Sequence, residues 1–181
     1  LLFAICLTLA HEMFFINYGL WMEESFDLVL TALGTVTIVI AIAEIVGEFV
    51  VITLADRFGT KLTSMLGMLL AAIMFAIIPL LTFSLPVALF GIFVMFIGIE
   101  TAIVASIPLF TEILPDARSV MMSANMGAHS LGRVLGASLG GIIYALTDNN
   151  FLVVGIVAAI TGLIAFVVIW QFIPVEKLKT A

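Results

Sequence analysis

FLVVGIVAAITGLIAFVVIWQFI, residues 151–173, contains no ionisable side chain in 23 residues. A helix rises about 1.5 Å per residue, so a run of this length crosses the roughly 30 Å hydrocarbon core of a bilayer. Five more windows of the same kind lie upstream, near residues 1–21, 28–55, 62–83, 86–113 and 119–147. Short polar segments divide them: MEESFD, DRFGTK, FSLP, LPDAR and DNN. Pro86 and Pro115 stand at helix ends, where a proline costs least. Of the 181 residues, 64% are hydrophobic and 10% charged, which is more apolar surface than a water-soluble domain of this size can hide. The expected fold is an all-α integral membrane protein, one six-helix transmembrane domain over residues 1–181.

Cys6 is the only cysteine, so no internal disulfide forms, and no Cys/His cluster has the spacing of a zinc site. No cofactor is expected. The formal charge of −6 includes carboxylates inside apolar segments, and no basic patch points to nucleic acid. The chain opens at Leu1, already in an apolar run and without a methionine, so we expect it to be a piece of a longer protein.

Lys and Arg fix the orientation. Arg57 and Lys61 follow the second span, Arg118 the fourth, Lys177 and Lys179 the sixth, while the other connections hold Glu23, Glu24, Asp27 and Asp148. The positive-inside rule puts both ends in the cytoplasm. Arg133 is the sixth basic residue and the one exception, because it falls within the fifth span.

Ionisable residues well inside the spans are confined to four of them: His11 and Glu12 in the first, Glu44 and Glu48 in the second, Glu100 in the fourth, His129 and Arg133 in the fifth. A charge facing lipid at mid-depth costs several kcal/mol, so these four helices must face protein or water, whereas the third and sixth can face lipid. The pattern 1-2-4-5 against 3-6 is what two copies of a three-helix unit produce, a 3+3 bundle. At 100° per residue Asn125, His129 and Arg133 share one face of the fifth span with Gly132, Gly136 and Gly140, which admit close helix packing. Thr37, Ala41, Glu44 and Glu48 form a stripe on the second span, and His11 and Tyr18 share a face with Phe14 and Trp21 on the first. Measured from the cytoplasmic ends, Glu48 and Asn125 lie about 10 Å deep, Glu44 and His129 about 16 Å, and Glu100 and Arg133 about 20 Å. Equal depth predicts an Arg133–Glu100 pair. Glu44 and Glu48, one turn apart, are a candidate proton-carrying pair. A structural polar network is the plainer reading of all these residues; a substrate and proton pathway is the one we favour.

Two catalytic motifs fail in context. GASLG at 136–140 matches the nucleophile elbow G-x-S-x-G, which needs a strand-turn-helix corner, but Ser138 is mid-span. HEMFF at 11–15 opens like the zinc-binding H-E-x-x-H, yet Phe15 stands where the second histidine must be.

TLADRFGTK, residues 53–61, resembles the G-x-L-A-D-R-x-G-R-K loop of the major facilitator superfamily. Leu54, Ala55, Asp56, Arg57, Gly59 and Lys61 match, while Ile52 and Thr60 depart from it. TEILPDAR resembles the family's acidic-proline-arginine segment through Glu112, Pro115 and Arg118, and the glycine-rich fifth span and short basic tail are similar to the end of such a transporter. The resemblance covers essentially the whole chain. It implies helices seven to twelve of a twelve-helix secondary transporter, partnered by an amino-terminal six-helix half of the same chain. It also implies a latching role for Asp56, Arg57, Gly59, Lys61 and Arg118 at the cytoplasmic surface. The style is similar to bacterial proton-coupled efflux members, hence antiport of a small molecule against protons across the cytoplasmic membrane. The alternatives are a standalone six-helix channel or membrane assembly subunit and, with both motifs failing, less readily an intramembrane enzyme.

Overall fold

The structure, a computed structural model, describes residues 1–28, 30–113 and 115–173. Six α-helices are present: α1 (Leu2–Phe26), α2 (Leu30–Phe58), α3 (Thr60–Ile77), α4 (Leu85–Ile113), α5 (Arg118–Leu146) and α6 (Phe151–Phe172). Short 3₁₀ turns follow α3 at Ile78–Leu80 and precede α5 at Pro115–Ala117, and no strand occurs among the described residues. Five helices are long and apolar enough to cross a membrane. The exception is α5, equal to α2 and α4 at 29 residues but interrupted by Asn125, His129, Arg133, serines and glycines. The basic tail with Lys177 and Lys179 lies outside the described residues.

Helix ends follow local chemistry. α1 runs on to Phe26, through Glu23 and Glu24 where the sequence pattern places a connection, and stops as Asp27 turns left-handed at φ 51°. The α5–α6 link uses Asp148 and Asn149 at positive φ, which short polar side chains tolerate, and Asn150 then caps α6 by accepting from Leu152 N–H at 3.1 Å. α2 continues to Phe58, so Asp56 and Arg57 belong to its last turn and the connection to α3 is Gly59 alone, at φ 80°.

The closest packings are α1 on α5 and α6, α3 on α4 and α6, and α2 on α4, with lighter contacts joining α4 to α5 and to α1. Read in order they form the open series α5–α1–α6–α3–α4–α2. Lipid tails are as apolar as a leucine core, so burial alone gives these helices little reason to associate; close backbone approach and interhelical hydrogen bonds do. At Gly67 and Gly98 an added Cβ would come within 2.7 and 2.9 Å of the facing carbonyl on α4 and α3 respectively. Beside them the buried Ser64 hydroxyl donates to Ala102 O at 2.8 Å. Where α1, α3 and α6 meet, Phe14 lies 5.2 Å from Phe75 and 4.7 Å from Phe151, and Trp21 stacks on Phe151 at 5.1 Å.

The third and sixth spans both carry exposed apolar residues, with Ile156, Ile160, Leu163 and Ile164 on α6. α3 keeps an exposed stripe of Leu62, Leu66, Ile73 and Ile77, yet it is the most buried of the five apolar helices, and α2 is the least. Freedom from charge suits a helix wedged between others as well as one in lipid, so composition alone does not separate the two.

Candidate functional site

The small residues of α5 bring its polar stripe against α1. A Cβ on Gly136 would stand 2.5 Å from Leu9 O and 3.0 Å from Glu12 Cβ, and one on Gly140 2.5 Å from Met13 O, while Gly132 faces Ile5 and Thr8. The Thr8 hydroxyl crosses the interface to His129 O at 3.1 Å. At this separation Glu12 reaches Arg133, with Oε1 3.5 Å from Nε; the glutamate is 19% exposed and the arginine 61%. The expected Arg133–Glu100 pair does not form. Depth fixed only the position along each axis, and α5 leans on α1 while Glu100 of α4 turns towards α2.

His11 and Tyr18 are placed by aromatic packing. His11 stacks on Phe15 at 5.4 Å and meets Phe96 of α4 edge-on at 5.4 Å, and Phe15 stacks on Tyr18 at 5.0 Å. His11 Nε2 is buried with no hydrogen-bond partner among the described residues. The expected common face of His11, Tyr18, Phe14 and Trp21 is split: the first two join Phe15 towards α4, and the last two serve the core towards α6.

Between α4 and α5 a cavity of about 200 Å³ is lined by Ile103, Ile107, Asn125, Met126, His129, Ser130 and Arg133. Asn125 is 0% exposed, and neither its amide nitrogen nor its oxygen has a partner among the described residues. Nearly all buried polar groups are hydrogen-bonded, so a carboxamide orphaned at both atoms marks a place built for something else.

The carboxylates of the other wall stand apart. α2 turns Val36, Ile40, Ala43 and Val51 inwards. Gly47 lets α2 close on Glu100, where an added Cβ would lie 2.7 Å from the glutamate Cβ. Glu44 and Glu48 are exposed and near enough to Glu100 to interact electrostatically. Among the described residues no cation pairs with any of the three. No group of three or more His, Cys, Asp or Glu among the described residues could hold a metal ion.

At the α2–α3 connection Asp56 and Arg57 are exposed, and the Arg57 guanidinium sits 5.2 Å above the Phe58 ring. Gly59, which precedes α3, offers no side-chain cap. Lys61 does what the sequence could not reveal: its ammonium donates to Trp170 O at 2.9 Å and to Ile173 O, closing the carbonyl end of α6. A lysine in a first turn carries no signal for a helix end more than a hundred residues away. Arg118 pairs with Glu112 at 3.1 Å on the surface. Tyr144 donates to Glu24 at 2.9 Å, a second α1–α5 contact hidden by the expectation that Glu24 lies in a loop.

The family model described as Major Facilitator Superfamily matches residues 1–181. Over 140 residues the chain is 24% identical to an uncharacterized MFS-type transporter, YceJ, of Bacillus subtilis (strain 168). That match covers 77% of this chain and 36% of the relative, so the matched part spans little more than a third of that protein's length. No solved structure matches.

Proposed function

The chain belongs to the major facilitator superfamily, and from that premise we propose that it is one six-helix half of a secondary active transporter. It moves a small molecule by alternating access, without covalent chemistry, coupled to protons in the sense of efflux. A second six-helix half of the same protein completes it, in a bacterial cytoplasmic membrane with both ends cytoplasmic.

One observation carries this reading: the series of packed helices is open, and its two ends, α5 and α2, bear the polar stripes. A closed bundle would bury such groups against one another, whereas an open one turns them to a shared space that a second half can cover. Exchanging α1 with α4, α2 with α5 and α3 with α6 maps the five closest packings onto themselves, which supports a 3+3 repeat. The transporter name carried by the Bacillus relative supports the activity class. Glu44, Glu48 and Glu100 are the proton-carrying groups in this reading; His11, Glu12, Tyr18, Asn125, His129 and Arg133 line the substrate path. Asp56, Arg57, Gly59, Lys61 and Arg118 form the cytoplasmic latch.

The test is flux into proteoliposomes of the full-length protein under an imposed pH gradient, with an internal pH dye reporting protons. Substrate movement that discharges the gradient is expected, and a protonophore should abolish accumulation. Stepwise ionic currents in a planar bilayer, with no dependence on the gradient, would favour the channel reading.

A further inference from the structure

The cavity between α4 and α5 has a chemistry of its own. Asn125, His129 and Arg133 are spaced by four along α5, so the polar groups extend about 12 Å along the helix axis. At one end stands Asn125, fully buried, with donor and acceptor both unused among the described residues. At the other stands Arg133, whose Nε is engaged by Glu12 at 3.5 Å, while the two terminal nitrogens of its fork have no partner among the described residues. Between them Ile103 and Ile107, one turn apart on α4, and Met126 on α5 supply apolar surface, while His129 and Ser130 share the lining and the Ser130 hydroxyl is spent on Met126 O at 3.0 Å.

Each part selects a feature of the occupant. A guanidinium fork matches a carboxylate with two parallel hydrogen bonds. A carboxamide with both functions free matches a hydroxyl, which accepts from its nitrogen and donates to its oxygen. The three apolar side chains favour a mainly apolar body, with His129 beside it in the lining. Arg133 carries one positive charge, so an occupant that takes the place of Glu12 brings one negative charge and not two. We propose that this cavity binds a small organic monoanion with a carboxylate at one end, a hydroxyl at the other and an apolar body between them; the assignment rests on the transporter reading, for which it names the substrate class. The ligand carboxylate meets Arg133 in place of Glu12, the hydroxyl meets Asn125, and the body lies along Ile103, Ile107 and Met126.

The test is calorimetric titration of the full-length protein in lipid nanodiscs with three probes. 4-(4-Hydroxyphenyl)butanoate carries both ends, 4-phenylbutanoate lacks the hydroxyl, and 4-(4-hydroxyphenyl)butan-1-ol lacks the charge. Removing the hydroxyl should weaken binding about fivefold and removing the charge about tenfold or more. Asn125→Leu should erase the first difference and keep the second, and Arg133→Gln should do the reverse. The ranking on the unaltered protein holds whether or not the variants fold. Equal affinity for the three probes, or no binding of 4-(4-hydroxyphenyl)butanoate, overturns the proposal and leaves a water-filled cavity. Counterflow of labelled 4-(4-hydroxyphenyl)butanoate in proteoliposomes separates the two readings. The expected ranking without flux upholds the cavity and refutes transport; flux of that probe with no ranking refutes the cavity alone.

Discussion

The α1–α5 and α2–α4 interfaces both bring glycine against a helix that carries a glutamate, and they resolve the same difficulty in opposite ways. On α5 three glycines in a row meet the α1 backbone, the charge of Glu12 is offset by Arg133, and the Thr8 hydroxyl and Tyr144 add hydrogen bonds across the seam. On α2 one glycine meets Glu100, and three carboxylates gather without a cation among the described residues. A compensated, knitted interface suits a fixed wall. An uncompensated one leaves like charges near one another that protonation relieves, which makes it the more responsive of the two.

The difference can be broken at the glycines first. Gly140→Val would drive its side chain into Met13 O, Cα and C, atoms that cannot yield without moving α1. We expect a loss of about 3 kcal/mol or more, at the upper end of overpacking, seen as lost monodisperse protein in fluorescence-detected size exclusion. Gly47→Ala meets the Glu100 side chain and a single carbonyl. It should cost about 2 kcal/mol, with folded protein retained and a lowered thermal midpoint.

Charge comes next. Glu12→Gln leaves Arg133 uncompensated but 61% exposed, so the cost should fall between the surface and buried limits, about 1–2 kcal/mol. Adding Arg133→Gln should restore the midpoint without restoring transport. Normal flux in the double variant would make the pair scaffolding. The smallest effect on stability belongs to Glu100→Gln, which relieves like-charge repulsion and should raise the midpoint by the equivalent of about 0.5 kcal/mol. In the proposed cycle the same change uncouples flux from the pH gradient. Retained coupling would remove Glu100 from the proton path.

Much of this was legible in the chain itself. The period of 3.6 placed Gly132, Gly136 and Gly140 with Asn125, His129 and Arg133 on one face of α5, and five helices are apolar enough to announce themselves. The partner of that face was not legible. Depth orders residues along the membrane normal and says nothing of azimuth, so Glu100 and Glu12 could not be told apart as counter-charges for Arg133. Lys61 at the end of α6 was hidden for a related reason: a side chain that caps backbone carbonyls needs no complementary residue type, and so leaves no trace in the sequence of its partner.

The link between α2 and α3 has a mechanical consequence. One residue supplies about 3.5 Å of chain, and Gly59, at φ 80°, is already in a conformation that side-chain-bearing residues rarely adopt. There is no slack for α2 to slide past α3. Two residues later Lys61 ties the same corner to the end of α6. A push on the cytoplasmic end of α2 is therefore transmitted to α3 and α6 as to the arms of one bracket, and any rocking of this half begins as rotation of a stiff corner.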